Sequence, residues 1–354
     1  MIRGINDNGI VVVDGFVDMH VHFREPGNPE KETIQSGTRA AKAGGYSLVC
    51  TMPNLNPAPD SLEHLKVQQE LILQYAEVGV LPFATITKGR KGEEPTHYES
   101  LADKVAGFSD DGNGVQDDKV MMRCMKGIAK VGGLLAAHCE LLNDPHTGAP
   151  AHDIRQREAL EVERNIRLAK DTGCRLHICH VSTEDSVRLI RQGKKMGVHL
   201  TAETAPHYLV FSKEDVRDKG CFKMNPPIGT LADRNALLAA VGDGTIDVIA
   251  TDHAPHTKEE KSGGFSASLN GVVGLETAFP VLYTTLVKTG VIQLERLLEM
   301  MSDAPCRILG IKKTGETQID LNENYTIDAS KFFSKGKSSP FDGMQVWGRV
   351  IYDL

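Results

Sequence analysis

The chain has no surplus of positive charge. Lys and Arg number 40 against 47 Asp and Glu, a formal net charge of −7, whereas a nucleic-acid backbone calls for clustered cations. No apolar run approaches the roughly 18–20 residues that cross a bilayer. The opening MIRGINDNGI lacks the charged-then-apolar pattern of an export signal. Seven cysteines are scattered without a Cys-x-x-Cys, at 50, 124, 139, 174, 179, 221 and 306. That odd, dispersed set argues against a disulfide framework or zinc ribbon and fits reduced, buried thiols in a cytoplasmic enzyme. There is no repeat of fixed period and no low-complexity tract. A Gly-x-Ser-x-Gly nucleophile elbow and a His-Glu-x-x-His are also missing. Gly336-Lys337-Ser338 lacks the upstream glycine of a phosphate loop and reads as a surface turn.

What is present is an ordinary globular composition, 40% hydrophobic and 25% charged over 354 residues, enough to bury a full core. Short β-rich apolar runs alternate with stretches of helical period. The runs fall at 15–22, 47–52, 80–86, 105–109, 134–138, 175–180, 199–202 and 247–251. Helices are expected at 32–43, 61–76, 159–171, 182–195, 231–241 and 274–289, the fourth capped by Ser182 or Thr183. Eight strands separated by helices imply parallel crossovers and the number that closes a (β/α)8 TIM barrel. Residues 15–310 are expected to form it. Residues 1–14 and 311–354 break the alternation and read as a small β appendage built by both termini.

Side chains at the C-terminal ends of barrel strands converge on one mouth. Here those ends read Asp18-Met19-His20-Val21-His22, Phe108-Ser109-Asp110-Asp111-Gly112, Ala137-His138-Cys139-Glu140, Cys179-His180-Val181 and Thr251-Asp252-His253. His20 and His22, two apart on a strand, share a face and form a natural chelating pair for zinc. His138 and His180 alone read as satisfied core histidines, but all four fall at the same end of their strands. The acidic turn at 109–114 lacks the spacing of a calcium loop. Strand geometry lets only one of Asp110 and Asp111 face the mouth. Asp252 reads either as a mouth residue or as the N-cap of a short helix starting at His253.

The stretch Gly15-Phe16-Val17-Asp18-Met19-His20-Val21-His22-Phe23-Arg24-Glu25-Pro26-Gly27 closely resembles the first-strand signature of dihydroorotases in the amidohydrolase superfamily. So do Thr51-Met52-Pro53-Asn54, Phe108-Ser109-Asp110-Asp111-Gly112, Lys223-Met224-Asn225-Pro226-Pro227 and Ala250-Thr251-Asp252-His253-Ala254-Pro255-His256, in the right order from about residue 10 to 345. The resemblance implies a barrel with one or two zinc ions. His20, His22 and Asp252 would hold the more buried metal, His138 and His180 the second, with Asp111 bridging. Many amidohydrolases bridge with a carbamylated lysine; here Lys104 precedes the fourth strand and Lys119 follows the acidic turn, so the aspartate branch is implied.

The implied activity is interconversion of dihydroorotate and N-carbamoyl-aspartate in pyrimidine synthesis. Asp252 would take a proton from the activated water and pass it to the leaving ring nitrogen. His22, Arg24, Asn54, Asn225 and His256 would contact substrate, Arg24 gripping its carboxylate in a bidentate fork. Arg24 could instead pair with Glu25 or Glu32. Hydrolysis of another cyclic amide such as hydantoin or allantoin is the alternative enzyme reading. A non-catalytic partner of aspartate transcarbamoylase is the third. Assembly stays open between a homodimer and association with that transcarbamoylase. Relatives usually have a longer N-terminal β segment and Phe-Gly where this chain has Asn270-Gly271, so a reduced β subdomain is expected. Residues 258–269 are the candidate mobile loop over the mouth.

Overall fold

The computed structural model describes residues 2–5, 10–144 and 147–352. β1 (Ile2–Ile5) and β2 (Val11–Asp14) open the chain as an antiparallel pair. β3 (Phe16–Val21), β4 (Tyr46–Thr51) and β5 (Gly79–Pro82) form one parallel sheet. β6 (Leu134–Ala137), β7 (Arg175–Ile178), β8 (Leu200–Thr204) and β9 (Val248–Ile249) form another. Two seams close these sheets into a ring. Phe108 bridges Ala84 and Leu135 on one side, and Val21 meets His253 on the other. With Phe108 standing for the fourth strand, the ring has the eight positions of a (β/α)8 barrel.

That fourth strand, expected over 105–109, is reduced to a single bridging residue. Phe108 N donates to Leu134 O and Phe108 O accepts from Ala136 N, both at 2.8 Å. Gly107 permits the approach, since a Cβ there would stand 2.5 Å from Leu134 O.

Helices cover the ring, and their starts follow local capping chemistry. Thr33, Ser61 and Thr183 each accept a backbone N–H three residues on, opening helices Ile34–Ala43, Leu62–Tyr75 and Glu184–Lys195. Of the two candidate caps for the last, Thr183 serves. Helix Ile154–Thr172 begins five residues earlier than expected because Asp153 caps it. The expected 274–289 helix is Ala278–Leu282 widening into a π-helical turn, Tyr283–Val287. There Thr284 Oγ1 accepts Trp347 N at 2.8 Å from the terminal sheet. That sheet adds β10 (Glu316–Thr326) and β11 (Gln345–Ile351) to give the antiparallel order β1-β2-β10-β11. Residues 1, 6–9, 353 and 354 of the expected appendage lie outside the described residues.

A main apolar cluster fills the layer between strands and helices, and four small ones lie apart from it. One of these combines Cys50, Phe83, Ala136 and Cys179. All seven cysteines are free and six are buried. Among the described residues no helix is long and apolar enough to cross a membrane.

Two glycine substitutions test this packing by thermal denaturation. Gly107→Ala should cost about 1–3 kcal/mol by forcing Phe108 away from Leu134. Gly242→Ala, in helix Leu231–Asp243 with open space around its Cβ position, should gain up to about 1 kcal/mol.

Candidate active site

Strand ends aim the cluster. In β3 the register against β4 shifts between Asp18 and Val21, an irregularity that re-aims side chains beside a site. The buried Asp18 carboxylate accepts His20 N at 3.0 Å and Thr251 N at 3.2 Å, tying the first and eighth strand ends together. Burial pushes its carboxyl up to about 7. Past the Phe108 bridge, Ser109 Oγ accepts Asp111 N at 3.1 Å. Asp110 turns away and accepts Ile86 N and Thr87 N at 2.8 and 3.2 Å. Asp111 is therefore the carboxylate facing the mouth. His180 and Asp252 have φ of +35° and +48°, a conformation uncommon for any residue but glycine. No helix begins at His253, which sits in the ring as a parallel bridge.

These six residues meet. His20 Nε2 lies 3.3 Å from Asp111 Oδ1 and 3.6 Å from Asp252 Oδ1. His22 Nε2 lies 3.4 Å from Asp111 Oδ2 and 3.0 Å from Asp252 Oδ1. On the other side His138 Nδ1 and His180 Nε2 each stand 3.5 Å from Asp111 Oδ1 and 2.9 Å from each other. Two groups that could hold a metal ion thus share Asp111. Burial works to raise the Asp111 carboxyl, but His20, His138 and His180 together hold it well below the usual carboxylate range.

The residues fit a metal. His20 Nε2 and Asp111 Oδ1 are buried without a hydrogen-bond partner, a state that costs about 1–3 kcal/mol per group unless something else satisfies it. Separations near 3.3–3.6 Å match ligand atoms around an ion with bonds of about 2.0–2.1 Å in tetrahedral array. Nitrogen and carboxylate donors suit a borderline divalent ion.

Outer partners fix the imidazoles. Glu203 Oε1 takes His20 Nδ1 at 2.6 Å, and Glu203 Oε2 takes His177 Nε2 at 3.1 Å. Asn54 Oδ1 takes His22 Nδ1 at 2.9 Å. For His20 and His22 the other ring nitrogen is left facing the cluster, whereas His177 Nδ1 pairs with Thr201 Oγ1 at 2.8 Å. Glu140 Oε2 lies 3.4 Å from His138 Nε2 and accepts Asn225 Nδ2 at 3.0 Å. Glu158 accepts Ser182 N and Thr183 N, anchoring the loop after His180. Sequence reasoning missed Glu203, because the seventh strand, expected to end at 202, runs to Thr204. Glu140, quoted beside His138, and His177, three residues before His180, stood close to the cluster without suggesting a role. Glu32, expected from sequence as an alternative partner for Arg24, instead pairs at 3.3 Å with His253, next to Asp252, and contacts Ser334 from the C-terminal segment.

A cavity of about 220 Å³ opens above the cluster, lined by all the expected site residues except His20, which is buried beneath. Arg24 Nε donates to Pro255 O at 3.2 Å. It forms no ion pair with Glu25 or Glu32, which bond to Ile34 N and His253. Its remaining nitrogens, Asn54 Nδ2 and Asn225 Oδ1 make no hydrogen bond among the described residues. His256 is different. Its Nε2 donates to Asn270 O at 2.7 Å and its Nδ1 faces Lys31 and Glu260. Burial, with Arg24 nearby, lowers it to about 4, so it is neutral near pH 7 and already satisfied by the protein. Lys104 is exposed and paired with Asp103, and Lys119 does not line the cavity. The segment 258–269 forms two short turns, Lys258–Lys261 and Gly264–Ala267. It is tied down by the buried Lys261 ammonium on Lys223 O and Leu269 O.

A parallel eight-membered barrel with histidines and aspartates gathered at the C-terminal ends of its strands is the architecture of an amidohydrolase. A sequence profile described as dihydro-orotase-like matches residues 9–186. Dihydroorotase of Bacillus cytotoxicus is 44% identical over 371 aligned positions, covering 99% of this chain and 87% of that protein. Dihydroorotase of Bacillus anthracis matches to the same extent. Among solved structures, the L-hydantoinase (dihydropyrimidinase) of Arthrobacter aurescens superposes with a TM-score of 0.85 at 25% identity, over 98% of this chain and 84% of that one. The dihydropyrimidinase of Brevibacillus agri, 20% identical with a TM-score of 0.82, covers 96% of this chain and 82% of its own and shares the fold. The chain belongs to the dihydroorotase family.

The two adjacent aspartates separate binding from scaffolding. Asp111→Asn should lower metal uptake, read by elemental analysis after equilibrium dialysis, with little change in melting temperature of the metal-free protein. Asp110→Asn should do the reverse, weakening three contacts to the 86–87 backbone and side chain at about 1–3 kcal/mol.

Proposed function

We propose that the chain interconverts (S)-dihydroorotate and N-carbamoyl-L-aspartate, the cyclic-amide step of pyrimidine synthesis, with one or two zinc ions. His20, His22 and Asp252 would hold one ion and His138 and His180 the other, with Asp111 between. Zinc bound there supplies a Lewis acid for the ring carbonyl and lowers the pKa of water toward about 7.

The chain's own groups do the rest. Arg24 and the Asn54 amide grip the substrate carboxylate, a charge-assisted pairing, and Asn225 Oδ1 accepts a ring N–H. The Asp252 carboxylate, oriented by its contact with His22 Nε2, takes the water proton as the new C–O bond forms. It delivers that proton to the ring nitrogen as the C–N bond breaks. In the cyclising direction it removes the ureido proton. His256, already committed, shapes the mouth by holding Asn270.

The observation that carries this reading is the half-buried Arg24, with uncommitted nitrogens, in a cavity facing the cluster. A neutral hydantoin or allantoin ring would leave that charge unmatched, and desolvated charges are tolerated when paired. The same reading assigns residues 15–310 to the catalytic barrel and residues 1–14 with 311–354 to the appendage. It places the protein in the cytoplasm, either as a homodimer or with aspartate transcarbamoylase.

Ring opening of dihydroorotate by the zinc-loaded protein, followed by ultraviolet absorbance, tests the proposal. Asp252→Asn should abolish turnover with metal retained at one or both sites; undiminished turnover removes Asp252 from proton transfer. Arg24→Ala should raise KM about 10- to 100-fold, as expected for a lost charged hydrogen-bond pair, without changing metal content. Turnover of hydantoin but not dihydroorotate would favour the alternative.

A further inference from the structure

A second concave surface adjoins the mouth. His256 lines the reaction cavity and also a larger one of about 580 Å³. Five lysines line this larger cavity, at 219, 258, 261, 335 and 337, against a single carboxylate, Asp342. In a chain of net charge −7 that is a strong local asymmetry. Lys261 is buried on two carbonyls. Lys335 Nζ donates to Pro29 O at 2.6 Å, and Lys337 Nζ to Ser334 O at 2.7 Å. Carbonyl dipoles fix these ammonium groups on the wall without cancelling their charge. Lys219 and Lys258 are exposed, and their side chains make no hydrogen bond or ion pair among the described residues. Asp342 is turned toward Ala329 N at 2.8 Å. The reaction as derived above uses none of these groups.

We propose that this basic pocket is an encounter site for the anionic substrates, concentrating them beside His256 before they enter the reaction cavity. The inference rests on the dihydroorotate reading. Dihydroorotate carries one negative charge and N-carbamoyl-aspartate two. Electrostatic energy is proportional to charge, so any enrichment of the monoanion becomes its square for the dianion. The pocket therefore favours capture of the open-chain dicarboxylate over the ring.

The test is steady-state kinetics of the full, zinc-loaded chain in both directions, comparing Lys219→Glu/Lys258→Glu with a matched control, Lys170→Glu/Lys195→Glu. The control lysines are exposed near the C-terminal ends of helices Ile154–Thr172 and Glu184–Lys195. These helices run antiparallel to the strands, so their ends lie at the barrel face away from the mouth. In low salt the pocket pair should raise KM about 3-fold for dihydroorotate and about 9-fold for N-carbamoyl-aspartate, with kcat unchanged. The Gln versions should give smaller shifts that keep the same square relation between the two substrates. Both effects should shrink as ionic strength rises from about 0.01 to 0.15 M and the Debye length falls from roughly 30 to 8 Å. Equal shifts for the two substrates, or shifts matched by the control pair, overturn the encounter site while leaving the reaction intact. Absence of turnover in the unaltered protein overturns the reaction reading and the encounter site with it.

Discussion

The site depends on the burial of one carboxylate, Asp111, among four imidazoles. Gathering six polar side chains beneath a cavity mouth is costly unless every atom is paired or reserved for a ligand. The surrounding structure meets that requirement from outside. Glu203 and Asn54 take the outer nitrogens of His20 and His22, and Glu140 stands behind His138. The atoms left over, His20 Nε2 and Asp111 Oδ1, stand 3.3 Å apart in a group that could hold a metal ion. The left-handed backbones at His180 and Asp252 add about 1–3 kcal/mol of strain each. They are offset by anchors on either side, including Asp18 on Thr251 N and Glu158 on the loop after His180.

The mouth follows a different logic. Where His20, His22 and His138 are held from behind, Arg24, Asn54 and Asn225 each keep one polar end committed to protein and the other open. In the proposed reaction this half-commitment would orient the three side chains before substrate arrives and so lower the ordering entropy of binding. His256, bound at both nitrogens, belongs to the wall instead.

Much of the barrel was legible in the sequence, because alternating runs and helix caps are local signals. Thr183 caps its helix as the pattern allowed, and the helices opened by Thr33 and Ser61 start within two residues of the expected positions. The histidines and aspartates were legible because strand ends converge. What escaped is set by long-range contact. Whether Asp110 or Asp111 faces the mouth depends on the 86–87 backbone that captures Asp110, and the resemblance chose where strand parity did not. The fourth strand looked regular in sequence but yields to the close approach at Gly107. Glu203 lay one residue beyond the expected end of its strand. The 258–269 segment looked loose from its Gly and Ser content, yet Lys261, a residue usually at the surface, is the buried post that ties it down.

The link from Glu32 through His253 to Ser334 joins the start of the barrel, its eighth strand and the C-terminal segment. Ser338 O also accepts Val273 N at 3.0 Å, binding the same segment to the loop beyond Asp252. During synthesis, all six cluster residues leave the ribosome well before these last supports. A nascent or nicked chain stopping short of Ser334 would carry the full complement of cluster residues with the backbone beside Asp252 unbraced. The bracing of the backbone beside Asp252 is therefore complete only once residues 334–338 are in place.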